Sequence, residues 1–271
     1  MDFNITDFNV RLRTIKIREL IIACIIAFVF TLFIDELTSP LMDIYDDLIM
    51  VSFLLVLFLF FIYALRGTTG LSNNFHNLFE NGNAREIIYV MVINLLFAFF
   101  ITAMFSSLDV VIAAFDPEWV TSLDFTPSAI DPGVFILEAI GSVIVAPIIE
   151  ELIFRGILFN RFKIRIGILP AIVLSSFLFA IGHEFGGMTS AFVFGMCMCV
   201  LYIKTDNILV SMSVHFLNNL ICVFLDFFPV DGFLFQMPFL PITLIVSMVS
   251  GILIIVYLYQ EIKKIRGNSP V

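Results

Sequence analysis

The sequence predicts an all-α, polytopic membrane protein with about eight transmembrane helices and both termini in the cytoplasm. Of its 271 residues, 61% are hydrophobic and only 14% are charged, and the mean hydropathy is +1.08. A soluble domain has about 45–50% apolar residues, so a soluble protein of this size could not cover so much apolar surface. We expect a single integral membrane domain over residues 1–271, located in the cell membrane.

Eight apolar stretches approach the roughly 20 residues that a membrane-spanning helix needs. They lie near Leu20–Leu37, Ile49–Leu65, Ile87–Leu108, Val134–Phe159, Ile168–Ile181, Ala191–Ile203, Ile208–Phe228 and Pro241–Tyr259. The fifth and sixth stretches are short for a span. The fourth stretch continues past two adjacent carboxylates toward Arg161.

The charged residues between these stretches support both the number of spans and their orientation. Lys and Arg concentrate on the cytoplasmic side of membrane helices, and here they leave three gaps. The gaps lie between Arg18 and Arg66, between Arg85 and Arg155, and between Lys204 and Lys263, and their hydrophilic segments are acidic. All basic residues therefore fall on one side of an eight-span arrangement. The longest outer loop is predicted over Asp109–Pro132.

Charge and cysteine content argue against other classes of protein. A net charge of −9 argues against nucleic acid as a partner, because nucleic acid binds basic surfaces. The cysteines lie in apolar stretches without a CxxC pair, and Cys197 and Cys199 point to different sides of a helix, so free buried thiols are expected. No small-residue cleavage site precedes the first long span, so we expect no cleavable signal peptide.

Several polar residues fall inside the predicted spans, where ionisable groups are costly and indicate function. They are Glu150, Glu151 and Arg155 on the fourth span, His183 at the end of the fifth, and His215 and Asn219 on the seventh. Glu150 lies 17 residues before the predicted turn at Gly167 and His183 lies 16 after it, so an antiparallel pair brings them level. At 1.5 Å per residue, Glu150 and His215 lie roughly 12 Å and 10 Å below the cytoplasmic surface.

Spacing within each group places its members on one helix face. Glu151 and Arg155 are four residues apart and can pair. Phe179 and His183 have the same spacing, as do His215 and Asn219, so each of these pairs lies on one face. Taken singly, a Glu–Arg pair is typical of a structural ion pair, and an intramembrane Asn of a helix contact. Three such groups at one depth favour a site instead. Pro147 and the glycines after the fifth span allow a water-filled cavity to open there.

The residue types predict hydrolysis without a covalent nucleophile. A carboxylate in a low-dielectric setting can act as a general base near neutral pH, and an adjacent imidazole can help to orient the attacking water. A His–Asn pair on a facing helix offers donors to a developing oxyanion, each worth about 10²–10³ in rate. Base, water and oxyanion donors together indicate a peptide-bond hydrolase.

At these residues the sequence resembles the family of intramembrane CAAX-prenyl proteases and bacteriocin-processing or immunity proteins, often called the CPBP or ABI family. Its motifs EExxxR, FxxxH and HxxxN occur in order as Glu150-Glu151 to Arg155, Phe179 to His183, and His215 to Asn219. The resemblance implies a catalytic core over residues 133–228. It also implies Glu150 as the base with His183 assisting, His215 and Asn219 as the oxyanion hole, and Glu151 with Arg155 holding the site together.

The resemblance leaves the cofactor and the substrate open. The family is often described as metalloproteases, and Glu150, His183 and His215 would be the ligands of a zinc ion, but the sequence contains no HExxH motif. We favour a metal-free reaction with no cofactor. The expected partners are the lipid bilayer and a hydrophobic or lipidated peptide, either CAAX-type prenylated or a leader peptide, and no feature indicates an oligomeric state.

Two other interpretations remain at this stage. The first is a non-catalytic membrane immunity or signalling protein that keeps the motifs for packing. The second is a proton-coupled transporter, which would show inverted repeats with paired broken helices; no such repeat occurs in the sequence. The roles of Glu150 and Glu151 also remain exchangeable, because adjacent residues trade places with a modest helix rotation.

Overall fold

A computed structural model describes residues 7–38, 46–80, 82–116, 135–136, 139–227 and 231–267. Within these ranges every regular element is a helix, which confirms the all-α prediction. The helices are α1 Phe8–Thr14, α2 Ile17–Thr38, α3 Asp46–Leu65, α4 Leu71–His76, α5 Asn83–Phe115, α6 over residues 139–166, α7 Ile168–Ala180, α8 Met188–Thr205, α9 Ile208–Phe227, α10 Asp231–Leu234 and α11 Leu240–Gly267.

The long helices coincide with the predicted spans, as expected of a polytopic membrane protein. In the described part of the chain, five helices are long and apolar enough to cross a membrane: Ile17–Leu37, Asn83–Phe115, Met188–Thr205, Ile208–Leu225 and Leu240–Gly267. Two shorter apolar helices, Val51–Leu65 and α7, occupy the second and fifth predicted spans. The fourth span corresponds to α6, which is irregular. The sixth span, predicted to be short, is a full-length helix.

The segment predicted as the longest outer loop begins with helix, not with a loop. Helix α5 runs to Phe115, so Asp109 lies within a helix and not in a loop. The apolar run after Asp109 continues the helical pattern, and one carboxylate near the end of a span does not interrupt it. Residues 117–132 of that loop lie outside the described residues.

Helix α6 departs from α-helical geometry on both sides of its two glutamates. Gly141–Val145 and Leu152–Phe159 are π-helical, whereas Ala146–Glu151 and Asn160–Ile166 are α-helical. Such changes of register release backbone carbonyls and are frequent at functional sites. The buried Asn160 satisfies two carbonyls of the second π segment, since its Nδ2 donates to the carbonyl oxygens of Arg155 at 2.8 Å and Gly156 at 3.0 Å.

Helices α7 and α8 cross at a point where only glycine fits. A Cβ atom added at Gly195 would lie 2.9 Å from the Cβ of Ser176 and 3.0 Å from its Cα. Neither atom belongs to the far end of a flexible side chain, so a larger residue must push the two helices apart. Since α7 and α8 also form one wall of the candidate site, this contact fixes the spacing of that wall.

We therefore expect Gly195→Ala to destabilise the protein by about 1–3 kcal/mol, the usual cost of overpacking a well-filled core. Thermal unfolding of the detergent-purified protein measures the effect. Gly251→Ala is the matched control, because its nearest neighbour is a Phe97 ring atom at 4.0 Å. Alanine there favours the helix by up to about 1 kcal/mol, so equal destabilisation of the two variants would contradict the prediction.

Candidate active site

Glu151 and Arg155 form a buried ion pair on α6. Both side chains are fully buried, and Arg155 Nη1 lies 2.9 Å from Glu151 Oε1. Arg155 Nη2 also donates to the Gly195 carbonyl oxygen at 3.3 Å, and the guanidinium lies 4.6 Å from the centre of the Phe179 ring. The pair therefore ties α6 to both α7 and α8.

His215 on α9 lies between the two adjacent glutamates. Its Nδ1 is 3.0 Å from Glu151 Oε1, and its Nε2 is 3.7 Å from Glu150 Oε2. A carboxylate only accepts hydrogen bonds, so Nδ1 holds the proton in this contact and Nε2 is turned toward Glu150. The imidazole is nearly fully buried and packs edge-on against Phe179 and Phe194.

The two glutamates differ sharply in their surroundings. The Glu150 side chain is 28% exposed, whereas the Glu151 side chain is 0% exposed. Glu151 forms close contacts with Arg155 and His215. Within the described residues, the one ion pair of Glu150 is its contact with His215 Nε2, which is longer. Glu150 is thus the carboxylate that can meet a water molecule or a substrate.

His183 lies in the turn after α7, not on the helix itself. Helix α7 ends at Ala180, and His183 is exposed. Its Nδ1 lies 3.0 Å from the Phe179 carbonyl oxygen and its ring centre is 4.6 Å from that of Phe179. Because a carbonyl only accepts, Nδ1 donates and Nε2 keeps its lone pair. Among the described residues no hydrogen bond or ion pair joins His183 to Glu150.

Asn219 connects α9 to the first π segment of α6. Its Nδ2 donates to the Ser142 carbonyl oxygen at 2.8 Å. In a π-helical register this carbonyl would bond to the amide five residues later, but that residue is Pro147, which has no N–H. Asn219 therefore fills a position that the proline leaves open, and its second amide proton remains available.

A cavity of about 250 Å³ lies beside these groups, between α5, α7, α8 and α9. It brings together three of the predicted site residues, His183, His215 and Asn219, with Phe179 and Phe194 providing apolar walls. The cavity is not lined by Glu150, Glu151 or Arg155. The two glutamates contact His215, which does line it. The arrangement can bind an extended apolar chain beside a small set of polar groups, as substrate cavities commonly do.

Asn94 on α5 also lines this cavity, although it is not among the residues that the sequence predicted for the site. Its side chain is 4% exposed; its Nδ2 donates to the Val90 carbonyl oxygen at 2.8 Å, while its Oδ1 is buried without a partner in the structure. A single amide in a long apolar helix was the available signal. Nothing in the sequence shows, however, that this face of α5 meets α8 and α9.

The residues present do not fit a zinc site. A catalytic zinc ion takes three protein ligands and leaves a fourth position for water. No three His, Cys, Asp or Glu side chains within the described ranges lie close enough together to hold a metal ion. His183 is separated from the two glutamates, and His215 already directs Nδ1 to Glu151, so we derive no step through a metal.

Comparison with known proteins identifies the same region. Residues 132–221, which contain all three motifs, match the family model for type II CAAX prenyl endopeptidase Rce1-like proteins, which confirms the resemblance inferred from the motifs. Over 101 residues the chain is 33% identical to "Putative membrane peptidase YdiL" of Bacillus subtilis (strain 168). This alignment covers 37% of the chain and 41% of that relative. No solved structure matches the chain significantly.

Proposed function

We propose that the protein is a glutamate-dependent intramembrane endopeptidase that hydrolyses a peptide bond in a hydrophobic or lipidated peptide. The observation that carries this proposal is His215, which lies between two adjacent carboxylates of which only Glu150 is accessible. The Rce1-like match over residues 132–221 and the similarity to a protein named as a membrane peptidase support the same class of reaction.

Glu150 is the general base in this proposal. Its carboxylate accepts a proton from water while the water oxygen attacks the carbonyl carbon of the peptide bond. His183 assists by orienting the water, because its Nδ1 is occupied by the Phe179 carbonyl and its Nε2 keeps a free lone pair. Glu150 lies on α6 and His183 in the turn after α7, and in this proposal both act on the same water molecule once the substrate is bound.

His215 and Asn219 stabilise the negative charge that develops on the carbonyl oxygen. The Glu151 carboxylate accepts from Nδ1–H of His215 and fixes the orientation of the ring, so that Nε2, when it carries a proton, is the proposed donor to the oxyanion. Asn219 adds its second amide proton, the first being bound to the Ser142 carbonyl. Preorganised donors of this kind each contribute about 10²–10³ in rate. The carbon–nitrogen bond then breaks as Glu150 returns the proton to the leaving amine.

Glu151 and Arg155 position the site without touching the substrate. Their ion pair fixes the rotation of α6, while the contact of Glu151 with His215 fixes the orientation of the imidazole. The apolar walls formed by Phe179 and Phe194 favour a lipidated or hydrophobic chain over a polar one. By the description of the matched family, a prenylated C-terminal peptide is the first substrate to test, and a hydrophobic leader peptide is the second.

Peptide cleavage by the detergent-purified protein tests the proposal. A farnesylated peptide ending in a CAAX sequence is compared with the same peptide without the lipid, and the products are identified by mass. We expect cleavage of the lipidated peptide that continues at an unchanged rate in excess chelator. Activity that is lost in chelator and restored by zinc would overturn the metal-free reaction. A folded protein that cuts neither these nor leader peptides would favour the non-catalytic immunity or signalling role.

A further inference from the structure

A second, larger cavity lies at the end of the molecule where the basic residues gather. It measures about 850 Å³ and lies between α4, α5, α8 and α11; we call it the polar cavity. Lys204 crosses one wall, with its Nζ 2.8 Å from Glu86 Oε1 and 3.4 Å from Glu261 Oε1. By the distribution of Lys and Arg, this end of the helices faces the cytoplasm.

Buried polar atoms without a hydrogen-bond partner occur in residues that line both cavities. Among the described residues, Glu86 and Tyr257, which line the polar cavity, leave Oε2 and Oη unpaired, and Asn94, which lines the cavity of the candidate active site, leaves Oδ1 unpaired. The other such atoms belong to Ser142, whose carbonyl Asn219 binds, and to the Glu151–Arg155 ion pair.

Unpaired buried atoms are costly, so their location needs a physical cause. Each costs about 1–3 kcal/mol when it has no hydrogen-bond partner. Internal water is the usual partner of buried polar groups that the protein leaves unsatisfied. Unpaired polar atoms in residues that line two cavities on one helix are therefore the pattern expected of a hydrated path between them.

Helix α5 connects the two cavities along one face. Glu86, Val90, Asn94 and Ala98 follow at four-residue intervals and so lie on the same side of the helix. Glu86 lines the polar cavity, whereas Asn94 and Ala98 line the active-site cavity. The eight residues from Glu86 to Asn94 span about 12 Å at 1.5 Å per residue. Val90, which is fully buried, lies between them.

Helices α8 and α11 complete the connection opposite α5. Cys197 on α8 lies beside the Asn94 side chain. Tyr257 on α11 lies near both Cys197 and Glu86. Polar groups from three helices thus follow one another from the polar cavity to Asn94, and His215 lies across the active-site cavity from there.

We propose that a file of water molecules runs from the polar cavity past Tyr257, Cys197 and Asn94 into the active-site cavity and supplies the water consumed in hydrolysis. The purpose of the path rests on the proposed peptidase function, but its existence does not. Every peptide bond cleaved consumes one water molecule, and the hydrocarbon core of the bilayer supplies none. Tyr257 and Asn94 form hydrogen bonds with the water molecules along the path, and Val90 forms its narrowest point.

Hydroxyl-radical footprinting of the detergent-purified full chain tests the path. When X-rays generate the radicals from water in place, side chains that contact internal water are oxidised even where they are buried. Cys197 and Cys199 are a matched pair, because both thiols are fully buried on α8 but Cys199 faces Ser176, with 4.0 Å between Sγ and Oγ. We expect Cys197 to be oxidised several-fold faster than Cys199. Equal rates would overturn the path.

Two variants test the route independently of catalysis. Tyr257→Phe removes one hydroxyl, and Val90→Phe fills the narrowest point; each should lower oxidation of Cys197 toward the level of Cys199. If Val90→Phe does not fold, Tyr257→Phe still decides, because it retains the ring packing against Tyr89. Unchanged oxidation of Cys197 in the folded variants would overturn the path. Because the labelling requires no substrate, this result is separate from the outcome of the peptidase assay.

Discussion

Glu150→Gln is expected to abolish peptide cleavage while leaving the protein folded. Glutamine has the shape of glutamate but cannot accept a proton from water at neutral pH, so the general base is lost. The described contact of the Glu150 carboxylate is the 3.7 Å approach to His215 Nε2, and the side chain is partly exposed, so little stability depends on it. Loss of a positioned general base lowers kcat by about 10²–10⁴-fold.

The measurement compares kcat for the same lipidated peptide in wild type and variant, with thermal unfolding recorded on the same samples. Glu184→Gln is the matched control, since Glu184 is exposed in the turn beside His183 and does not line the active-site cavity. It should cleave at the wild-type rate. Full activity of Glu150→Gln would refute the mechanism. If instead Glu151→Gln were fully stable and inactive, Glu151 would be the general base and Glu150 the positioning residue.

The spacing of residues in the sequence was sufficient to predict two of the contacts in the candidate site. Glu151 and Arg155 pair because a helix places residues four apart on one face, and this holds even where the helix passes from α to π geometry. The depth estimate placed His215 level with the glutamates, and the structure brings its two ring nitrogens to both carboxylates. Both inferences depend only on helical rise and on where the charged loops lie.

The surroundings of His183 could not be predicted in the same way. The depth estimate treated it as part of a helix that would bring it level with Glu150. Helix α7 ends at Ala180, and the following turn directs the imidazole to the Phe179 carbonyl. Where a helix ends depends on local capping and on packing with its neighbours, and Gly182 allows more than one continuation. Residue spacing in the sequence therefore locates a membrane span but does not predict the conformation of the turn that follows it.

Asn94 and Asn160 show a second limit of the sequence. Each is an amide in or next to an apolar helix, a pattern that indicates a contact between helices but not which groups meet. The function of Asn160 depends on the π segment before it, which releases the carbonyls of Arg155 and Gly156. The position of Asn94 matters because α5 faces α8 and α9, and that packing follows from the whole bundle. Pro147 indicated an irregular helix but not the register it would adopt.

Arg155→Met is expected to destabilise the protein severely. Arg155 and Glu151 are fully buried and 2.9 Å apart, and removal of one partner leaves an uncompensated charge inside the bundle. Breaking a buried pair in this way costs about 3–5 kcal/mol. The variant also loses the donor to the Gly195 carbonyl and the contact with the Phe179 ring. Thermal unfolding in detergent measures the loss, and Lys264→Met, which removes an exposed partner of Glu261, should cost about 1 kcal/mol or less.

The double variant Glu151→Gln with Arg155→Met distinguishes an ion pair from two independent residues. With both charges gone, no unpaired charge remains buried, so we expect the double variant to be more stable than Arg155→Met alone. Residues in contact commonly deviate from additivity by about 0.5–3 kcal/mol, and a strictly additive loss would show that the pair is not the stabilising unit. Activity should not return with stability, because His215 loses the carboxylate that holds its Nδ1 proton. If the double variant cuts peptide at the wild-type rate, Glu151 is not needed to position His215. Glu150 would then be the one carboxylate that the reaction needs.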